Sequence, residues 1–461
     1  MSSISTQFFS VNGRAYRPPA RPVVVICLDG SADEYLDTAL AHGRMPNLQH
    51  MAVGGYRGLA RGAMPSFTNV NNASIVTGVP PSVHGIGGNF FYNPATGREE
   101  MMNSAKYLRA ETIFPAAARA GRKAVVVTAK EKLREIFASG LIEQGGVAFS
   151  SEKAGQAELK THGIDRVEKV VGSPTPPIYS ADASLFVLRA GVALLQNGMA
   201  DFLYLSTTDY VQHKYAPGAP EAVEFYAAID RELGRVLELG AVVGITADHG
   251  MNAKQKPDGS PNVIYLESEL SGKFGSGFRV ILPITDPYVV HHGALGSFAV
   301  VHLPAPGAGS ETEGNSPNEP LLASREGSGR GRRAGGTARD REGVRGEGGL
   351  LLDAARDWLL ERPGVTEVYD RDTAARKLEL PADRLGELVV LSGRDVVLGR
   401  TPEYHDLSAL ENGLRSHGGR YEEMVPLILS EPLKPEYAAR AAGDPRNFDI
   451  FDFTVNGTRA K

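Results

Sequence analysis

Five short segments, far apart in the chain, carry side chains that could bind metal ions beside a nucleophilic hydroxyl. They contain Asp29 in VVVICLDG, Thr68 in PSFTNVNNAS, Asp209 and His213 in TTDYVQHKY, Asp248 and His249 in GITADHGM, and His417 in LRSHGG. Neutral imidazole and carboxylate are the ligands that hydrolytic Zn²⁺ takes when no thiolate is at hand. Each segment alone is a weak signal. Together they predict a hydrolase that transfers a phosphoryl group at two metal ions.

Two of these segments pair an aspartate with a histidine. Asp209 and His213 are four residues apart, and on a helix this spacing places both side chains on one face. Asp248 and His249 follow an apolar run, and Gly250 permits the sharp turn that brings both to one ion. Taken singly, these motifs are more often a surface polar pair and a capping aspartate. Their occurrence in one chain favours metal ligands.

Thr68 precedes a predicted helix from Asn69 to Thr77, which Gly78 ends. A threonine at a helix start is most often only an N-cap. The same position also suits a nucleophile, because a helix N-terminus attracts a phosphoryl group. A metal ion beside the hydroxyl would lower its pKa and activate it.

The number of ligands points to His417. The first ion would have four protein ligands: Asp29, Thr68, Asp248 and His249. Asp209 and His213 supply only two for the second ion, whereas a catalytic zinc site usually has three protein ligands and an open position. His417 is the best third ligand, ahead of the competing histidines His84, His291 and His292.

Composition narrows the class of protein. The chain has 461 residues, 42% of them hydrophobic, which suits two domains or one large core with an insertion. A net charge of −5 gives no reason to expect nucleic acid or an anionic membrane as partner. Cys27 is the only cysteine, so a disulfide framework and a thiolate zinc site are excluded. We found no signal peptide or membrane span, and therefore expect a cytoplasmic protein.

Apolar runs alternate with helical patterns and predict an α/β fold with a mostly parallel sheet flanked by helices. The predicted strands are Val23 to Leu28, Lys123 to Thr128, Phe202 to Leu205, and Ala241 to Thr246. The predicted helices are Asp182 to Asn197 and Pro220 to Leu239. Ligands bind beyond the carboxyl ends of parallel strands, where Asp29, Asp209 and Asp248 fall.

The later part of the chain predicts a second unit. Residues 253–403 have mixed strand and helix character and form a predicted α+β cap, while residues 20–252 and 404–455 form the metallohydrolase core. Within the cap, residues 307–349 are rich in Gly, Arg, Glu and Ser and nearly lack large apolar side chains. Such a composition predicts a disordered surface insertion, with an Arg-rich contact segment as the alternative.

The ordered motifs Asp, Thr, DxxxH, DH and H resemble the alkaline phosphatase superfamily, specifically its nucleotide pyrophosphatase/phosphodiesterase-like branch. The similarity is greatest to the members of that branch that hydrolyse phosphonoacetate. It rests on LDGSADEYL, MPSFTNVNNASIVTG, HGIGGNFFYN, VTAKEKLR, DYVQHKYAPG, TADHGMN and RSHGG. It extends from about residue 20 to 455, and segment 307–349 is foreign to it.

The resemblance implies an alkaline-phosphatase-like core, two Zn²⁺ per chain, and conversion of phosphonoacetate and water to acetate and phosphate. It implies that Thr68 is the nucleophile and shares one zinc with Asp29, Asp248 and His249, while Asp209, His213 and His417 hold the other. It also implies that Asn89 binds a phosphoryl oxygen and that Lys130 and Lys132 receive the substrate carboxylate. Cleavage of a carbon–phosphorus bond needs the departing carbanion delocalised as an enolate, which a cation near the carboxylate would stabilise.

Several alternatives stay open. A phosphodiesterase or nucleotide pyrophosphatase would use the same metals but needs a pocket for a base. A phosphomutase would return the phosphoryl group to a bound product, and a binding protein could use the fold without catalysis. The two lysines could be a solvated helix start. We expect a small-molecule phosphonate as partner, no nucleic acid and no membrane, with a homodimer as one alternative for the oligomeric state.

Overall fold

A computed structural model describes residues 4–284, 293–304, 347–408, 410 and 413–459. His291 and His292 lie outside the described residues. Most of the predicted insertion 307–349 also lies outside the described residues. Its last three residues, 347–349, are the start of a helix that begins at Glu347.

The strands of the described residues are, in chain order, β1 (Phe9–Val11), β2 (Arg14–Tyr16), β3 (Val23–Cys27), β4 (Tyr56–Arg61), β5 (Phe90–Asn93), β6 (Arg98–Met101), β7 (Ala124–Thr128), β8 (Val147–Ser150), β9 (Phe202–Ser206), β10 (Val242–Thr246), β11 (Asn252–Ala253), β12 (Val263–Tyr265), β13 (Arg279–Ile281), β14 (Phe298–His302), β15 (Val365–Asp370), β16 (Leu388–Ser392), β17 (Val397–Gly399), β18 (Arg415–Ser416) and β19 (Met424–Leu429). The α-helices are α1 (Asp33–Ala41), α2 (Pro46–Gly54), α3 (Thr68–Thr77), α4 (Pro81–His84), α5 (Ile113–Arg119), α6 (Glu131–Phe137), α7 (Leu159–His162), α8 (Val167–Val171), α9 (Ala181–Gln196), α10 (Tyr210–Lys214), α11 (Pro220–Glu238), α12 (Leu266–Phe274), α13 (Glu347–Leu360), α14 (Arg371–Lys377), α15 (Pro435–Ala441) and α16 (Ile450–Asp452).

A seven-stranded sheet forms the centre, in the order β4-β19-β10-β3-β9-β7-β8. The five strands from β10 to β8 are mutually parallel, whereas β19 runs antiparallel to both β10 and β4. The predicted α/β fold with a mostly parallel sheet is confirmed. The antiparallel strand β19 was not predicted as a member of this sheet.

Burial on both faces explains the continuous apolar runs of the central strands. Along β3, Val24 and Ile26 belong to the buried apolar cluster that includes residues of α9 and α11, while Val23, Val25 and Cys27 belong to the cluster that includes residues of α3, α5 and α6. Strand β3 therefore contributes to two hydrophobic layers, one on each face of the sheet, and all five of its residues are buried.

A second, four-stranded antiparallel sheet has the order β13-β14-β16-β15 and its own buried apolar cluster. All four strands lie within residues 253–403. The domain boundaries themselves stay a prediction. Among the described residues, no helix combines the length and apolar composition needed to cross a membrane.

Candidate metal centre

The candidate ligands converge because neighbouring parallel strands end at the same edge of the sheet. Asp29 lies two residues beyond β3, Asp248 two beyond β10, and Asp209 three beyond β9. Strand β3 lies between β9 and β10 in the sheet, so the three carboxylates meet around its end. All three are buried, with exposed fractions of 0% for Asp29 and Asp248 and 5% for Asp209.

The backbone at Gly30 allows Asp29 and Asp209 to approach one another. Gly30 has φ +71°, and a Cβ atom there would lie 2.8 Å from the Cβ of Asp209. Any other residue would be strained by this conformation and would push the second carboxylate away.

Thr68 is the first residue of α3, so the N–H groups of the first helical turn beside it lack partners within the helix. Its Oγ1 lies 3.3 Å from Nε2 of His249, and its exposed fraction is 5%. The structure therefore brings the hydroxyl, the helix N-terminus and a ligand histidine together.

The remaining ligands form two groups that share His249. Potential ligand atoms of Asp29, Asp248 and His249 lie within 4.8 Å of one another, as do those of Asp209, His249 and His417. His213 joins the second group through Asp209, because its Nε2 lies 3.0 Å from Oδ2 of that carboxylate. The six candidate ligands other than Thr68 are thus brought together at one place.

Hydrogen bonds fix the protonated nitrogen of each ligand histidine. In each ring Nδ1 donates to a backbone carbonyl. The pairs are His213 with Arg415 at 2.9 Å, His249 with Gly250 at 2.8 Å, and His417 with Ser66 at 2.7 Å. A carbonyl can only accept, so Nδ1 carries the proton and Nε2 keeps its lone pair in the neutral ring. This arrangement is typical of metal-binding histidines.

The donor set fits divalent metal ions with a preference for nitrogen and oxygen ligands. Nε2 of His213 lies 3.0 Å from Oδ2 of Asp209, so an imidazole nitrogen and a carboxylate oxygen face the same place. Oδ1 of Asp29 is buried without a hydrogen-bond donor. Burial, together with the nearby charges of Asp209 and Asp248, raises the pKa of Asp29 well above its ordinary value. Bound cations would relieve this clustering of negative charge.

Lys130 contributes a cation to the same cluster. It precedes α6, beyond the end of β7, and its Nζ lies 3.1 Å from both Asp29 Oδ2 and Asp209 Oδ1. Burial opposes its charge, but these carboxylates raise the pKa of Lys130 well above its ordinary value. Lys132 is the second residue of α6 and is half-buried. Both lysines lie at a helix start, but Lys130 contacts the buried carboxylates of Asp29 and Asp209, which a solvated helix start does not predict.

His84 is the last residue of α4, and Asn89 lies in the loop between α4 and β5. Asn89 is buried, its backbone N–H donates to the carbonyl of Pro283 at 2.7 Å, and its Oδ1 has no donor. His84 is fully buried, and its Nε2 lies 2.8 Å from Oγ of Ser74 in α3. His84 therefore connects α4 to α3, the helix of Thr68, and does not join the candidate metal ligands.

Asn72 was missed by the sequence reasoning. Its Oδ1 accepts hydrogen bonds from the hydroxyls of Tyr204 at 2.6 Å and Ser206 at 2.9 Å. Its Nδ2 consequently faces Asp248 and donates to Oδ2 at 3.0 Å. The available signal was its position four residues after Thr68, which places both on one face of the predicted helix.

The sequence and fold are similar to those of known proteins. The chain belongs to the type I phosphodiesterase/nucleotide pyrophosphatase family, whose model matches residues 23–273. A venom phosphodiesterase from Naja atra is 26% identical over 249 residues, which are 50% of this chain but only 26% of that protein.

Solved structures extend the similarity to the whole chain. Phosphonoacetate hydrolase from Sinorhizobium meliloti 1021, in complexes with phosphonoacetate and with phosphonoformate, is 45% identical with a TM-score of 0.83, and the alignment covers 99% of this chain and 100% of that one. Murine ectonucleotide pyrophosphatase/phosphodiesterase 5 is 15% identical with a TM-score of 0.56 and covers 96% of each chain, which shows a shared fold. The predicted membership of the nucleotide pyrophosphatase/phosphodiesterase-like branch is confirmed.

Proposed function

We propose that this chain hydrolyses the carbon–phosphorus bond of phosphonoacetate at a two-zinc site. The observation that carries the proposal is full-length similarity to an enzyme solved with that substrate, joined to a cluster of buried ligands around Thr68. The cytoplasmic location and the homodimer stay predictions.

The ligands divide between two ions. Asp29, Thr68, Asp248 and His249 would hold one zinc, and Asp209, His213 and His417 would hold the other. When bound, the ions would lower the pKa of the Thr68 hydroxyl and offset the negative charge of the phosphonate. The chain supplies no thiolate, and the nitrogen and oxygen donors suit zinc.

Thr68 performs the first step. Its Oγ1 forms a bond to phosphorus as the phosphorus–carbon bond breaks, and the electron pair passes to carbon as the enolate of acetate. The Thr68 hydroxyl gives up its proton as this bond forms, and uptake of one proton by that carbon gives acetate and leaves phosphothreonine. Water then attacks phosphorus, the bond between phosphorus and Oγ1 breaks, and a proton from the water returns to Oγ1, which releases phosphate and restores the threonine hydroxyl.

Substrate binding would use positively charged and amide groups. Lys130 and Lys132 would bind the carboxylate, where the enolate charge develops during bond cleavage. Asn89 would hydrogen-bond a phosphoryl oxygen. Lys130 contacts Asp29 and Asp209, which would hold different ions, so it would lie between the metals and the substrate.

The second candidate function is phosphodiester hydrolysis, which the family match and the resemblance to a venom phosphodiesterase favour. Measuring acetate and phosphate release from phosphonoacetate, beside nitrophenol release from a nitrophenyl phosphodiester, separates the two functions. We expect phosphonoacetate to have the higher kcat/KM by at least tenfold. A preference for the diester would assign the chain to the phosphodiesterases.

A further inference from the structure

A buried ion pair lies beside the metal cluster without belonging to it. Lys254 and Glu422 have exposed fractions of 0%, and Nζ lies 2.9 Å from Oε1. Removing two charges from water costs about as much free energy as their attraction returns, so such a pair is a weak source of stability. Its contacts indicate another role.

Glu422 holds the two segments that carry His249 and His417. Its Oε2 accepts the N–H of Gly419 at 3.0 Å, two residues after His417. Its backbone carbonyl accepts the N–H of Gly250 at 2.8 Å, directly after His249. One residue thus connects the segments that carry His249 and His417 through two hydrogen bonds.

Lys254 connects the same pair to the four-stranded sheet. Its Nζ donates to Oγ of Ser297, beside β14, at 2.8 Å and to the carbonyl of Arg394, after β16, at 2.7 Å. The backbone N–H of Ser297 in turn donates to the carbonyl of His417 at 2.9 Å. One hydrogen-bond network therefore connects the four-stranded sheet to the backbone of His417.

We propose that Lys254 and Glu422 are positioning residues that hold His417 in register with His249 and thereby set the affinity of the second metal ion. The proposal rests on the zinc-binding part of the proposed function. It also couples the metal site to the cap, because movement of Ser297 or Arg394 would be transmitted through Lys254.

The test measures the dissociation constant of each zinc ion by competition with a chromogenic chelator, on full-length protein. Lys254→Met/Glu422→Leu removes both charges together and leaves neither unpaired. We expect the second ion to bind about ten- to a hundredfold more weakly, as for other residues that orient metal ligands. The melting temperature of the metal-stripped variant, compared with wild type, reports folding separately.

The matched control is Arg122→Met/Asp201→Leu. That pair is also buried, with Nε 2.6 Å from Oδ1, but lies at the opposite end of the parallel strands. We expect this variant to bind both ions as the wild type does. An equal loss of affinity in both double variants would show a general effect of disturbed packing and would overturn the proposal.

A milder variant covers the case in which the double substitution prevents folding. Ser297→Ala removes the hydroxyl that Lys254 contacts, whereas Ser392→Ala removes a buried hydroxyl bonded to the same carbonyl, that of Val396. We expect only Ser297→Ala to weaken the second ion, by about three- to tenfold. Wild-type affinity in Ser297→Ala would overturn the proposal. A wild-type chain that binds no zinc would overturn the metal centre itself, and with it this proposal.

Discussion

The imidazole rings of His249 and His417 lie parallel, with 3.5 Å between their centroids and 5° between their planes. Parallel contact at this distance would be repulsive for two charged rings, and burial next to His249 and His213 lowers the pKa of His417 well below its ordinary value. His417 therefore stays neutral. Its free Nε2 lies 3.8 Å from Oδ2 of Asp209, which makes this stack the meeting point of the two ligand groups.

Single ligand substitutions should remove the ions selectively. Elemental analysis of purified protein should give close to two zinc ions per wild-type chain. Asp209→Ala or His417→Ala should lose mainly one ion, whereas His249→Ala should lose mainly the other, because the proposed assignment places His249 with Asp29 and Asp248. His50→Ala, at an exposed histidine, is the control. Full zinc content in Asp209→Ala and His417→Ala would contradict the ligand assignment.

Thr68→Ala should abolish turnover without unfolding the chain. Removal of a nucleophile typically lowers kcat by about 10⁴-fold or more, and Thr68→Ser should retain part of the activity. Mass spectrometry of acid-quenched enzyme should show a phosphoryl group on Thr68 during turnover. Near-normal turnover by Thr68→Ala would mean that water attacks phosphorus directly.

The two lysines should behave differently. Lys132→Ala should lower kcat/KM for phosphonoacetate by roughly ten- to a hundredfold, the loss expected for one charge-assisted hydrogen bond. It should leave a carboxylate-free ester unaffected. Lys130→Ala should impair both substrates, because Lys130 contacts Asp29 and Asp209. Lys160→Ala, at an exposed position, is the control. Equal losses on both substrates in Lys132→Ala would remove its assigned role.

Asn72→Asp should weaken the zinc ion beside Thr68. The substitution keeps the shape of the side chain but replaces the donor to Asp248 by an acceptor. We expect about a ten- to hundredfold lower affinity, measured by chelator competition. Asn71→Asp buries the same new charge one residue earlier, where the amide contacts Ala63 and Asn447. If both variants bind zinc equally well, Asn72 does not orient Asp248.

His84 should make the metal-stripped protein less stable in acid. Burial lowers the pKa of His84 to about 3, whereas the unfolded chain binds a proton near pH 6.5. The unfolded state therefore takes up more protons below that pH, and stability falls. Between pH 7.5 and 5.5, urea unfolding of the wild type should lose about 1.4 kcal/mol more than His84→Gln does. Identical pH dependence in both proteins would contradict this.

Local sequence was enough to predict the parallel core and the edge where ligands gather. The predicted strand Val23 to Leu28 corresponds to β3, which ends one residue earlier. The predicted helix Pro220 to Leu239 corresponds to α11, which also ends one residue earlier. These elements are defined by burial and by capping residues close in sequence. The aspartates that follow such strands must meet at one edge, whatever the details of packing.

Relationships between distant segments could not be predicted in this way. Strand β19 has an apolar sequence that fits either direction, and its antiparallel place beside β10 depends on the path of the returning chain. The amide orientation of Asn72 depends on Tyr204 and Ser206, which belong to another strand. Likewise, nothing local indicates that Lys254 and Glu422 pair.

The position of β19 has a consequence for synthesis of the chain. Strand β4 lies at the sheet edge and pairs there with β19, and Thr68 follows β4 shortly in sequence. Every proposed ligand of the first ion leaves the ribosome before residue 250, yet the strand that anchors the Thr68 segment to the sheet emerges after His417. A nascent chain that ends within the cap therefore has most of the ligands and an unfinished scaffold. We therefore expect the chain to become catalytically active in a single late step, when residues 415–429 pack onto the central sheet.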